Sequence, residues 1–262
     1  MEGALLGLGL SAAFSSLARW QRLLTWDGAI AAIAVGTTVF LFGGWGWAAV
    51  LLAFFTTSSL WTRVALARRG PGGRRWASSG EAEGRTAGQV MANGVVPAVA
   101  ALAHGFGAVA ALPAFLGAIA AMTADTWATE LGLLSSSTPR LITTGHPVEP
   151  GRSGGITVEG TAGGILGACT IATLAMAFRP SLALWVGTLL AGVTGMFVDS
   201  FLGATLQEGF RCHVCGREGE KPSCCGRPAQ RIRGFPGITN NAVNALAAGW
   251  GAALGIVSSV LF

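Results

Sequence analysis

Eight apolar runs, at roughly residues 3–18, 27–42, 44–62, 94–111, 113–134, 156–178, 181–205 and 242–261, dominate this chain and decide its solvent. Crossing the hydrocarbon core of a bilayer as a helix takes about 20 residues, with about 17 near the lower limit. Several runs are long enough, while 3–18, 27–42 and 94–111 are marginal. Charged residues make up 11% of the chain, far too few to cover a water-exposed surface. The 40 glycines show no period of three, which excludes collagen, and they suit helices that approach closely in lipid. No long polar linker divides the runs. The expected fold is therefore all-α: a single integral membrane domain over 1–262, a polytopic transmembrane helical bundle of about eight apolar segments. Gly43-Gly44 interrupts 27–62, and Gly105, Gly107 and Pro113 interrupt 94–134. Each pair is either two spans or one span with a broken or re-entrant piece, which is tolerated where protein or a polar cavity surrounds it. The first 18 residues lack a positive n-region and a convincing cleavage site, so they read as a membrane helix and not as a removed signal.

A net charge of +5 read alone would suggest nucleic acid. The positions of the charges exclude that partner. With eight spans the loops alternate sides, and all of the 17 basic residues except Arg179 fall on one side. That side carries Arg19, Arg22, Arg63, Arg68, Arg69, Arg74, Arg75, Arg85, Arg140 and Arg152, and then Arg211, Arg217, Lys221, Arg227, Arg231 and Arg233. The positive-inside rule makes these loops (63–92, 135–155 and 208–240) cytosolic and puts both termini outside.

Ionisable groups are costly within a span and usually face a cavity or a partner. Asp125 and Glu130 end one apolar run, in Ala124-Asp125-Thr126-Trp127-Ala128-Thr129-Glu130. On a helix they differ by about 140° and about 7.5 Å, so an unwound turn or a broad cavity is needed to bring them together. The bland alternative is two carboxylates in water, or paired with arginine, at a helix end. Asp199 lies inside a long apolar run, with Ser200, Thr205 and Gln207 following and Glu208 at the exit. It must be paired or protonated; a divalent cation with a phosphate, or an arginine from the next loop, would serve. Asn93-Gly94 and Asn240-Asn241, with Asn244 a turn later, stand at the starts of two apolar runs on the same face, as caps or as polar partners. Unpaired N–H groups at such helix starts receive phosphate.

The loop 135–159 holds Pro139-Arg140, Thr143-Thr144-Gly145-His146 and Pro150-Gly151-Arg152-Ser153-Gly154-Gly155. Its glycine and hydroxyl density fits an anion nest, with Arg140 or Arg152 supplying charge, although it has no P-loop pattern. Four of the five cysteines, Cys212, Cys215, Cys224 and Cys225, cluster in the last loop beside His213, while Cys169 lies in an apolar run. The first pair has zinc-knuckle spacing, but adjacent cysteines are awkward ligands for one tetrahedral ion. Structural zinc and a disulfide are both open, and no catalysis is assigned to the cluster. From residues alone, an enzyme acting on a membrane-embedded anionic substrate stands just ahead of a transporter of a small anion or metabolite, with a non-enzymatic scaffold third.

The ordered set Asn93-Gly94, Ala124-Asp125 through Glu130, Pro139-Arg140-Leu141-Ile142, Pro150-Gly151 with Gly154-Gly155, Asp199-Ser200-Phe201-Leu202-Gly203-Ala204-Thr205-Leu206-Gln207 and Asn240-Asn241-Ala242-Val243-Asn244 resembles the transmembrane-protein-19-like family of integral membrane proteins over almost the whole chain. That family includes the plant phytyl-phosphate kinase. The resemblance implies phosphoryl transfer from CTP or another nucleoside triphosphate to a prenyl, phytyl-like monophosphate. It implies Asp125, Glu130 and Asp199 as the acidic, Mg²⁺-binding site. Asn93, Gln207, Asn241 and Asn244 would be polar partners. Gly151, Arg152, Gly154, Gly155 and Arg140 would lie near phosphate. Neither the prenyl length nor the oligomeric state is legible.

Overall fold

The structure, a computed structural model, describes residues 2–68 and 84–261. Arg69, Arg74 and Arg75 of the expected basic loop lie outside the described residues. Among the described residues seven helices run in chain order: α1 (Glu2–Trp20), α2 (Trp26–Arg68), α3 (Ala87–Gly105), α4 (Ala111–Leu134), α5 (Val158–Met176), α6 (Leu182–Thr205) and α7 (Asn240–Leu261). Of these, α2, α4, α5, α6 and α7 are long and apolar enough to cross a bilayer. Leu60, Leu166, Phe201 and Leu246 on their outer faces are each more than half exposed, as side chains facing lipid tails would be. The chain is thus a polytopic membrane protein built as a helical bundle.

The 43-residue α2 is broken at Gly44, whose φ of 77° and ψ of −164° leave the helical region. The chain reverses there. The Arg63 guanidinium reaches the side-chain oxygen of Gln21, 3.5 Å away, and also the Gln21 carbonyl. In an unbroken helix the rise from residue 26 to residue 63 alone would be about 55 Å. Phe55 of the second half packs edge-on against Phe14 of α1, with ring centroids 5.5 Å apart. The Gly43-Gly44 pair therefore joins two antiparallel segments. The region 94–134 is likewise two helices, joined by a turn in which Gly107 has φ +87°.

One boundary moves. The apolar run at 94–111 becomes a helix that starts at Ala87, because Thr86 and Gln89 form a reciprocal capping box ahead of the apolar stretch. Asn93 is consequently well inside α3 and caps nothing.

Helix α4 is the hub of the bundle and packs against α2, α3, α5, α6 and α7. Phe115, Leu116, Ile119 and Met122 on it are essentially fully buried. It runs parallel to α6 at very close range: a Cβ added at Gly195 would come within 2.4 Å of the Ala121 Cβ. Small residues permit this approach, and one helical turn further on it brings Asp125 level with Asp199.

The alternation of helices sorts the loops to two ends. At one end lie the Gly44 break, the Phe106–Ala110 turn and the turn after α5. There Phe42 stacks on Phe106 (6.5 Å), Trp47 stacks on His104 (4.9 Å), and Phe178 sits against Gly46. Arg179 is the one Lys or Arg in the described turns at that end. The opposite end gathers the basic loops, as the charge alternation requires.

Two of those loops are not irregular. The first is pinned by β1 (Arg140–Leu141) paired with β2 (Gly155–Ile156). The last carries β3 (Gly209–Arg211), β4 (Glu218–Gly219), β5 (Ser223–Cys224), β6 (Arg227–Pro228) and β7 (Gln230–Arg233). Strands β4, β3 and β7 form one small sheet and β5–β6 another hairpin. Together they make a finger between α6 and α7 that hydropathy did not announce.

Candidate functional site

A cavity of about 1730 Å³ opens at the basic end of the bundle. Asp125 on α4 and Asp199 on α6 face each other in it with their carboxyl groups in hydrogen-bond contact. Two carboxylates this close repel unless a proton or a cation lies between them. Asp199 is 9% exposed. In the amide orientation that satisfies both of its polar atoms, Asn244 of α7 donates to Asp199 Oδ2 at 3.1 Å and to the Asn240 carbonyl at 3.2 Å. In the opposite amide orientation the Asn244 Nδ2 donates instead to Asn93 Oδ1 of α3 at 3.4 Å. Three helices thus converge on one acid. The partners of Asp199 are a second carboxyl and an amide, not the arginine that the sequence left open.

Glu130 shares the cavity without any unwinding of α4, which stays helical to Leu134. The cavity is broad enough to admit both faces. Buried to 7% exposure, Glu130 accepts a 2.7 Å hydrogen bond from the Thr62 hydroxyl of α2. Thr62 had no sequence signal beyond its place near the end of an apolar run.

The glycine-rich loop forms the facing wall. Gly151, Arg152, Ser153, Gly154 and Gly155 all line the cavity. Gly154, with φ +82°, lies so close to α6 that a Cβ would meet Ala204 Cβ at 2.5 Å, so only glycine fits. Gln207, 1% exposed at the end of α6, donates to Ser153 Oγ at 3.1 Å and ties loop to helix. Asn241 also lines the cavity. Arg140 does not: it is exposed and donates to the Gly145 carbonyl of its own loop at 2.9 Å. The cation that joins Arg152 in the cavity is Arg233 of β7, an arginine of the last loop, whose Nη1 donates to the Gly203 carbonyl at 2.8 Å. Burial, then the neighbouring Arg152, lowers its pKa.

In the finger, Cys212, Cys215, Cys224 and Cys225 carry free thiols whose sulfurs all lie within 4.8 Å of one another. The Cys215–Cys224 and Cys224–Cys225 sulfur separations are 3.7 and 3.8 Å. A tetrahedron of Zn–S bonds near 2.3 Å has an edge of about 3.8 Å. The adjacent pair is accommodated because Cys225 takes a left-handed conformation, φ +52°, which turns its side chain beside that of Cys224. Backbone N–H groups of Cys215 and Val214 bring the Cys212 thiol down to about 6. Crowding by Cys212, Cys215 and Cys225 pushes Cys224 up to about 12. His213 is exposed and outside the group. The four cysteines are therefore able to coordinate a metal ion.

Other chains are similar in sequence. The match to the family described as "Integral membrane protein DUF92" extends over residues 9–252. A membrane protein of Methanocaldococcus jannaschii is 34% identical over 71% of this chain and 76% of its own length. Protein PGR of Arabidopsis thaliana is 30% identical over 86% of this chain and 85% of its own. A membrane protein of Synechocystis is 29% identical over 71% and 73%, respectively. No solved structure matches the chain. With a family match running from the first helix to the last, and relatives in archaea, cyanobacteria and plants, the chain belongs to the DUF92, transmembrane-protein-19-like family of integral membrane proteins.

Proposed function

We propose that the protein is a prenyl-phosphate kinase, transferring the terminal phosphoryl group of CTP or another nucleoside triphosphate to a phytyl-like monophosphate. One observation carries the reading: the paired acids Asp125 and Asp199 share an open cavity with a glycine-rich wall and with Arg152 and Arg233. Phosphoryl transfer needs little covalent help from a protein; it needs positioning and cancellation of charge. The oxygen-only donor set of Asp125 and Asp199, with Glu130 nearby, suits Mg²⁺, which keeps several waters and uses few protein carboxylates. Bound there, Mg²⁺ would neutralise phosphate charge. Asn244 holds the Asp199 carboxylate in place, and Thr62 does the same for Glu130. Arg152 and Arg233 would receive phosphate oxygens, and the backbone from Gly151 to Gly155 would approach them without side chains in the way. An oxygen of the lipid monophosphate attacks the terminal phosphorus of the nucleotide, and the nucleoside diphosphate leaves. The acceptor is already anionic, so no strong general base is required.

The prenyl tail would stay among the helices while the nucleotide enters from the basic, cytosolic face, with both chain termini outside. The cysteine cluster is assigned a structural zinc ion. The test is purified protein in detergent with Mg²⁺, labelled CTP and phytyl or geranylgeranyl phosphate. Labelled lipid diphosphate that disappears in Asp199→Asn supports the kinase. Silence across several nucleotides and lipid phosphates, together with protein-dependent anion flux in liposomes, would replace it with a transporter.

A further inference from the structure

The finger does more than sit beside the cavity. Its root is fixed to the end of α6: Arg233 donates to the Gly203 carbonyl, the Phe235 N–H to the Leu206 carbonyl at 3.0 Å, and the Glu208 N–H to the Ile238 carbonyl at 2.9 Å. Its middle is fixed to the glycine-rich wall. Glu218 lies 4.0 Å from Arg152 and 2.6 Å from Arg211. Glu220 accepts a 2.7 Å hydrogen bond from Ser153 Oγ, the same hydroxyl that receives the buried Gln207 amide. This relay leads from the last turn of α6 to a carboxylate at the cavity's mouth, and Glu220 lines that cavity with Asp125 and Asp199. Ser153 packs against Gly203, one helical turn beyond Asp199 on α6, so its bond to Glu220 sets that carboxylate on the same side of the cavity as the acid pair.

Glu220 stands in the segment that joins Cys215 to Cys224, whose strand pairings are each two residues long. Four sulfurs clamped on one ion would fix both ends of that segment, whereas short strands of this kind have little stability of their own.

We propose that Glu220 is a supporting carboxylate of the cation site, and that the four-cysteine cluster is the device that positions it: a metal held by the four sulfurs fixes the finger against the cavity and keeps Glu220 beside the site where Asp125 and Asp199 hold the divalent ion. The proposal rests on the reading that the aspartate pair binds such an ion. Glu220 acts on that ion through its ligands and waters, and the zinc acts only through the finger's shape. Removing a supporting partner of this kind costs roughly 10–100-fold in metal affinity.

The experiment uses the full chain in detergent, with zinc content from plasma mass spectrometry and Mn²⁺ binding from electron paramagnetic resonance. Glu220→Gln is expected to keep its zinc and to loosen Mn²⁺ by about tenfold or more, and Glu220→Asp to recover most of the loss. Cys215→Ser is expected to lose zinc and to loosen Mn²⁺ by the same factor, with Glu220→Gln adding nothing on top. Should Cys215→Ser fail to fold, the zinc-loaded Glu220 variants decide alone. Wild-type Mn²⁺ affinity in Glu220→Gln, beside its loss in Asp199→Asn, would sink the role of Glu220 and leave the aspartate site standing. Zinc loss with unchanged Mn²⁺ affinity would remove the finger's part. A wild-type chain that binds no Mn²⁺ would overturn both readings.

Discussion

The two ends of this bundle are made from the same helices and are chemically opposite. At one end the turns are short and aromatic, Trp47 is wedged between His104 and Phe115 (ring centroids 4.9 and 4.4 Å), and Arg179 is the lone Lys or Arg in the described turns. At the other, three helices deliver Asp125, Asp199 and Asn244 to one point, and two structured loops close around an open cavity. A membrane bundle has no hydrophobic force between its helices, so close packing of small residues must hold it. Polar groups within it persist only where a cavity or a partner receives them. The aromatic end is the packing solution, and the acidic end is the cavity solution.

The sharpest way to break the contrast is at its acidic pole. Asp199→Asn leaves the shape of the site and removes one of the two carboxylates proposed to hold the cation. Removing an electrostatic element of this kind typically costs about 100- to 1000-fold in turnover. Labelled lipid diphosphate formed per minute is the measure of the proposed kinase activity, and an Asp199→Asn protein as active as wild type would detach the acid pair from that reaction.

A second test attacks the packing that creates the pole. At Gly195 an added Cβ would come within 2.4 Å of Ala121 Cβ, so α4 and α6 must part for any larger residue. Gly195→Leu is expected to cost about 1–3 kcal/mol, as overpacking does, and to appear as a lowered melting temperature in detergent. Because Asp125 and Asp199 lie one turn further along, it should also weaken Mn²⁺ binding, whereas a comparable change at the aromatic end should not.

How far the sequence reveals this contrast depends on how local each signal is. Hydropathy and the spacing of arginines are local, so the eight segments and the basic face are legible, and the Gly43-Gly44 break is too. The sense of that break is not: reversal at Gly44 is settled by Arg63 meeting Gln21, a contact between helices. Asp125 and Asp199 stand out singly because acids in apolar runs are rare. Their pairing depends on a parallel α4–α6 contact through Gly195 that no spacing rule encodes. Asn93 looks like a helix start only because the capping box at Thr86 and Gln89 lies outside the apolar run. Arg140 and Arg233 are indistinguishable as loop arginines until β1–β2 turns one outward and β3–β7 turns the other in. The adjacent cysteines look incompatible with one ion because a left-handed Cys225 is not the default expectation for that residue.

A smaller effect is expected at the edge of the acidic pole. The Thr62 hydroxyl gives Glu130 a 2.7 Å hydrogen bond, and Glu130 is almost fully buried. Thr62→Val conserves shape and removes one donor from a buried carboxylate, which costs about 1–3 kcal/mol when the acid stays charged. Glu130 keeps further contacts, so the low end is expected, read as a small fall in melting temperature. A larger fall would make Thr62 the main support of that acid.

The smallest effect belongs to the aromatic pole. Arg179 is exposed, in the turn after α5, and faces none of the cavity residues. Arg179→Ala removes the one Lys or Arg in the described turns of that end, so it steepens the charge asymmetry between the two sides. The positive-inside rule then expects insertion to be unchanged or better, and stability to move by less than about 0.5 kcal/mol. Accessibility of single cysteines placed beside Arg179 and beside Arg217, probed with an impermeant thiol reagent in intact cells on a background lacking the native cysteines, reads the result. Labelling beside Arg179 but not beside Arg217 places the aromatic end outside. The reverse labelling pattern would turn the bundle over and put the cavity on the wrong side for a cytosolic nucleotide, which makes this mild substitution the most informative control on the whole assignment.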